Sequence, residues 1–268
     1  MRLAYVVEGS QVFDHRGREL LNVLWREEIA AKVGHLSPQI VLGINKGSIA
    51  SMRLAQTALK RTTSIAEPLD LILERFRVNH NIDCFVVVWD LLPPWDRDAG
   101  LCRWTETLGF YEGLSLSGSL DGAFRECAGR RYLEMRGRQE PGLRGSIPRL
   151  ERGAIIAVCV EPLFESVFMD QGAMKACLGL RNIRVKGWPR GWSQDNRNAC
   201  GVIADAVDAA RETRPRDAVY RKIRDGYETL KTEWGIHFLK SGCFDQTLGA
   251  HQLGRRLGEL RAVVIQGA

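Results

Sequence analysis

The sequence predicts an α/β fold in which a mainly parallel sheet is flanked by helices, with a helical extension at its C-terminal end. Three observations predict it. Four runs of strand length are almost wholly apolar, "RLAYVV" (2–7), "PQIVLGI" (38–44), "CFVVVWD" (84–90) and "GAIIAVCVE" (153–161), as strands covered on both faces are. Segments with apolar residues at helical spacing separate them. The first, third and fourth runs deliver an acid at or just past the end, Glu8, Asp90 and Glu161, and in doubly wound sheets ligands sit beyond those carboxyl ends.

After the first strand, "RELLNVLWREEIAAKV" places Leu20, Leu21, Leu24, Ile29 and Val33 on one helical stripe. Beyond the second, "SIASMRLAQTALKR" (48–61) is expected as a helix with Ser48 as its N-cap. A further helix is expected over "EPLDLILERFRVN" (67–79), leading to the third strand. Residues 93–152 are rich in Gly, Ser and Arg with weak periodicity, and are expected as an insertion or flexible flank. Past the fourth strand, Pro162 opens "LFESVFMDQGAMKACLGL", expected as one helix with Pro near its first turn. The expected organisation is therefore an α/β domain over 1–180 and a mainly helical extension over 181–268 that packs on it.

With 268 residues and 45% hydrophobic content the chain can bury a real core. No apolar run approaches the roughly 20 residues that span a bilayer, and the start lacks the pattern of a cleavable signal, so the cytoplasm is the expected location. Seven cysteines are scattered without a CxxC pair, which suggests neither a disulfide framework nor a zinc site. A net charge of +6 points to a polyanion partner or to solubility. The excess is local: eight arginines face four glutamates between Arg125 and Arg152, and five basic residues face only Asp195 between Arg181 and Arg197.

Acids at the ends of parallel strands converge in space, so Glu8, Asp90 and Glu161 or Glu165 are candidate ligands of a hard divalent cation such as Mg²⁺ or Mn²⁺. Acids and caps also occur at solvent-exposed strand ends without any such role. Glu161 and Glu165 are four apart, on one face of the expected helix, where a cation would relieve their repulsion or the helix dipole would favour them. "GINKGS" puts Lys46 at a strand-to-helix turn whose N–H groups could hold phosphate, although it lacks the P-loop order. "RVKGWPRGWSQDNR" interleaves Arg184, Lys186 and Arg190 with Trp188 and Trp192, a composition suited to phosphate contact and base stacking, or to a loop anchored on its tryptophans. No GxSxG or nucleophilic Cys/His signature is present, which argues against acyl transfer.

"VVEGS" followed by "VVVWD" resembles the Toprim fold of topoisomerases, primases and OLD-family nucleases, in which a glutamate follows the first strand and an acidic DxD the third. A more specific resemblance, to small standalone bacterial Toprim-like proteins often encoded beside an ATPase, is carried by "VEPLFESVFMDQGAM" and "YRKIRDGYETLKTEWGIHFLKSGCFDQTL". By this resemblance Glu8 matches the first acid, Asp90 the second and Glu165 the third. The chain departs from the pattern at "DLL", where Leu92 replaces the second acid of the DxD, with Asp96 and Asp98 nearby, and at Ser10 and Gln11, where the family continues with another acid.

The resemblance implies a Mg²⁺-dependent nuclease acting on DNA or RNA, a phage-defence effector working with an ATPase partner. Glu8 is then general acid/base or ligand, Asp90 and Glu165 hold metal with Glu161 in reserve, and Lys46 or Arg97 neutralises transition-state charge. Two other readings stay open: a catalytically silent subunit that docks on a protein partner, motivated by Leu92, and a non-enzymatic nucleic-acid binder. Assembly as a homo-oligomer is carried as a further expectation; a membrane partner is not.

Overall fold

In the computed structural model, the described residues are 1–9, 12–33, 38–53, 67–91, 99–138 and 150–266. Four parallel strands, β1 (Leu3–Glu8), β2 (Ile40–Ile44), β3 (Cys84–Asp90) and β4 (Ala154–Val160), form a sheet in the order β2-β1-β3-β4. The chain thus moves to one side of β1 to lay down β2 and to the other side to lay down β3. The strand order thus reverses at the carboxyl ends of β1 and β3, the place where sheets of this type bind ligands. In register, Val7 faces Val88, Glu8 faces Ile44 and Asp90 faces Val160.

The unbroken apolar runs are explained by two cores, one on each face. Tyr5, Val7, Val86, Val88, Ile156 and Val158 point to one side; Ala4, Val6, Phe85, Val87, Ile155 and Ala157 point to the other. Alternate residues of each strand therefore meet different helices, and both sets must be apolar.

On the first face lies a continuous helical run, α1, made of Leu20–Asn22, a π-helical stretch Val23–Ile29 and Ala30–Lys32. Of the predicted stripe it buries Leu20, Leu21, Leu24 and Ile29 in this core, with Val33 partly buried, and it adds Trp25. The C-terminal helices join the same core: α7 (Ala199–Thr213) through Val202, Ile203 and Ala206, and α9 (Lys231–Lys240) through Trp234 and Phe238.

On the second face lie α2 (Lys46–Arg53), α3 (Leu69–His80), α4 (Ala99–Ser115) and α5 (Gly122–Met135). The last two occupy the segment expected as an insertion or flexible flank, and they bury Phe110, Tyr111, Leu114, Phe124 and Ala128 in that core. The Tyr111 hydroxyl accepts from the Ala157 amide at 3.1 Å, which satisfies an outward N–H on the edge strand β4.

Two helix expectations are corrected. Helix α2 begins at Lys46, and the cap is Asn45, whose Oδ1 accepts from the Ser48 amide at 2.7 Å; Ser48 lies inside the first turn. Residues 54–61 of that expected helix lie outside the described residues. After Pro162 the chain does not run as one helix either. A 3₁₀ stretch, Phe164–Phe168, precedes α6 (Gln171–Cys177), with Asp170 at the break accepting from the Ala173 amide at 2.7 Å. The remaining helices are α8 (Ala218–Lys222), α10 (Asp245–Ala250) and α11 (Gln252–Gln266). No described helix is long and apolar enough to cross a membrane.

Candidate active site at the carboxyl ends of the strands

Glu8 closes β1 and Asp90 closes β3, on neighbouring strands, so parallel pairing alone brings them to one edge. The Asp90 amide donates to Glu8 Oε2 at 3.3 Å, and Asp90 Oδ1 accepts from the Phe164 amide at 2.8 Å. This second bond ties the chain after β4 to the end of β3. It also places Glu165, the next residue, at the same edge. Gly9 then turns with φ of 150° and donates its amide to Ile44 at 3.0 Å, a backbone shape that a side chain would strain.

Lys231 at the start of α9, Tyr227 and Glu228 just before it, and Cys200 on α7 add residues the strand pattern did not disclose. Lys231 Nζ lies 3.9 Å from Glu165 Oε1 and 3.1 Å from Glu228 Oε2. It also donates to Cys200 Sγ at 2.9 Å, and that thiol donates to Glu228 Oε1 at 3.1 Å. Tyr227 is buried beside them.

Burial raises the Glu165 carboxyl; the Lys231 cation opposes the shift and the Glu8 charge adds to it. Its side chain is 15% exposed, so water does little to stabilise the anion. Burial also opposes the charge on Lys231, but the bonds it donates to Cys200 and Glu228, and the charges of Cys200 and Glu165, leave its ammonium raised. The Cys200 thiol is pushed up to about 12, mainly by burial, so it is no thiolate nucleophile. Tyr227 is raised well above the usual phenol range by burial and then by Glu165 and its acidic neighbours. The edge thus combines two strand-end carboxylates, a carboxyl biased towards its protonated form, and a fixed cation.

Ser166 and His251 lock the stretch that carries Glu165. His251 Nδ1 accepts from the Leu253 amide at 3.1 Å, which assigns the proton to Nε2 and makes it the donor to Ser166 Oγ at 2.7 Å. The serine hydroxyl in turn donates to the Leu163 carbonyl at 2.6 Å. With its proton committed to a backbone carbonyl, Ser166 is a clamp and not a nucleophile.

Of the other predicted site residues, Glu161 and the backbone of Lys46 stand at the same edge of the sheet, just past the ends of β4 and β2. Glu161 directly follows β4, and its carbonyl accepts from Gln252 Nε2 at 3.0 Å; because the helix begins later, Glu161 and Glu165 do not share a helical face. Lys46 opens α2 beyond β2, and its side chain is not among those described. Arg97, Leu92, Asp96 and Asp98 lie outside the described residues. Arg184, Lys186 and Arg190 are exposed on the stretch between α6 and α7. There Trp188 and Trp192 stack on each other at 5.4 Å and 17°, packed against the core, with Lys175 Nζ 5.4 Å from the Trp188 ring.

Lys231, Glu228, Cys200 and Tyr227 escaped the sequence reading. Their only local signal is a Glu–Lys pair three apart, which solvent-exposed helices carry routinely. Oxygen donors from Glu8, Asp90 and Glu165 suit a hard cation in kind, but among the described residues no three His, Cys, Asp or Glu side chains stand close enough together to enclose one. Comparison with known protein families, with curated proteins and with solved structures found no match to this chain.

Proposed function

We propose that this edge is the centre of a Toprim-like phosphodiester hydrolase acting on nucleic acid. One observation carries the reading: Glu8 and Asp90 meet at the switch point of a parallel sheet, with Glu165 within electrostatic reach of Glu8 and Lys231 beside it. Glu8 and Asp90 are the residues that would hold Mg²⁺ or Mn²⁺, through one or two carboxylates with waters completing the shell; when bound, the ion supplies Lewis acidity at phosphorus and an acidified water.

The chain's own groups account for the rest. Burial keeps Glu165 ready to hold a proton at a pH where an ordinary carboxyl has lost it, and such a group can deliver that proton to a departing oxygen. Lys231, held by Glu228 and Cys200, is positioned to balance charge that builds up on a phosphoryl group. Exposed Arg184, Lys186 and Arg190 add a positive field that draws in a polyanion.

The test is incubation of the purified chain with labelled single-stranded and duplex DNA and RNA in the presence of Mg²⁺ or Mn²⁺. Cleavage that chelator abolishes is the expected result. Intact substrates throughout would overturn the reading and favour the silent, partner-docking alternative that Leu92 motivates.

A further inference from the structure

Between β1 and α1 the chain makes a small hairpin in which Phe13 pairs with Glu19 in an isolated antiparallel bridge. Its backbone is closed by Leu20 N to Val12 O at 2.8 Å, Asp14 N to Arg18 O at 2.9 Å and Gly17 N to Asp14 O at 2.9 Å. The Asp14 carboxylate braces the tip, accepting from the amides of Arg16 and Arg18 at 2.8 and 3.0 Å and from Arg18 Nε at 2.7 Å. Those bonds hold its carboxyl well down, at about 2, so its charge is consumed inside the turn.

None of this bonding uses the Phe13 ring, which is 62% exposed. A single exposed apolar residue needs no explanation by itself. Here, however, the ring stands on a braced backbone whose turn also carries the exposed Arg16, while the Arg18 guanidinium is tied to the Asp14 carboxylate. The hairpin is also rooted at the proposed site: Leu20 closes it, and the neighbouring Leu21 comes within 3.8 Å of where a side chain on Gly9 would begin. Phe13 lies five residues past Glu8, which bounds the separation at about 18 Å of extended chain, a few nucleotides of a bound strand.

An aromatic face on a fixed backbone offers a surface for stacking, and a neighbouring arginine answers phosphate charge, the combination that single-strand binders use. In a duplex both faces of each base are already covered by neighbours. We infer that Phe13 is a stacking platform for an unpaired nucleobase, with Arg16 contacting the adjoining phosphate, on a single-stranded polynucleotide lying across the Glu8 edge. The inference rests on the reading of that edge as a nucleic-acid site and names the form of its substrate.

The experiment measures binding of fluorescent 12-residue oligonucleotides to the full chain in chelator, where cleavage does not intervene, with single-stranded DNA, single-stranded RNA and blunt duplex as separate arms. Phe13→Ala should weaken single-strand binding roughly tenfold, within the range for losing one stacked base, while Phe13→Trp retains it. A 2-aminopurine placed in the strand should be quenched by the wild type and by Phe13→Trp but not by Phe13→Ala. Arg16→Gln should lower the salt dependence of log K by about 0.7. The DNA and RNA arms show which sugar is preferred.

Because the ring is exposed, each variant should melt with the wild type. The inference is overturned if single strands do not bind, if Phe13→Ala binds as the wild type, if duplex binds equally well, or if Phe13→Ala instead dissociates a dimer. Binding through Phe13 with no cleavage would sink the hydrolase reading alone; cleavage with a silent Phe13→Ala would sink only this inference.

Discussion

The Asp90 amide donates to the Glu8 carboxylate at 3.3 Å across the seam between β1 and β3. That contact joins two acids 82 residues apart at the one place where the sheet's strand order reverses. Through Phe164, whose amide binds Asp90, it also recruits Glu165 from the segment beyond β4.

Removing the cation beside Glu165 should make that carboxyl still harder to ionise, because Lys231, after a backbone hydrogen bond, opposes the effect of burial there. In Lys231→Met the titration midpoint of Glu165, followed by carboxyl carbon NMR, moves to higher pH, and the alkaline limb of any cleavage profile, where the proton donor is lost, moves with it. Activity at neutral pH falls roughly a hundredfold to a thousandfold, as loss of one preorganised electrostatic group does. A midpoint that moved down would contradict the electrostatic account.

His251 makes stability depend on pH. Burial, helped by Arg255, holds its imidazole at about 4 against 6.5 for the exposed ring. The folded protein therefore keeps it neutral where the unfolded chain binds a proton, so stability is full above about 6.5 and declines as pH falls towards 4. Urea melts at pH 7.5, 6 and 5 should show this slope, and His251→Gln should flatten it; equal slopes in both proteins would refute the assignment.

Tyr111→Phe deletes the hydroxyl that receives the Ala157 amide and leaves a buried N–H on β4 without it. The expected cost is about 1–3 kcal/mol, or roughly 2–10 °C in Tm for a chain of this size. Calorimetry decides the matter, and a Tm unchanged within about a degree would mean that another group satisfies the strand edge.

The strands were legible because two covered faces require both alternations of β1, β3 and β4 to be apolar, and the strand-end acids followed from that. Helices α4 and α5 were hidden by composition. Gly113 weakens the helical signal, yet a side chain there would begin 2.0 Å from the Met52 carbonyl, so the close approach of α4 to α2 demands glycine. Such packing is not visible in a local window.

The break after Phe168 went unseen for a similar reason. Asp170 reads as one more helical acid until its side chain is seen capping α6. Lys231 and Cys200 lie 66 and 35 residues beyond Glu165 and reach it only through the packing of α7 and α9 on the sheet. No spacing rule connects them.

The central claim is tested most directly by comparing cleavage of labelled DNA and RNA by the wild type and by Glu8→Gln, with Mg²⁺ or Mn²⁺ present and the two proteins matched for folding. Glutamine keeps an oxygen to accept the Asp90 amide, so Tm should change little, while the cleavage rate should fall at least a hundredfold. Equal rates in the two proteins would contradict the assignment of chemistry to this edge.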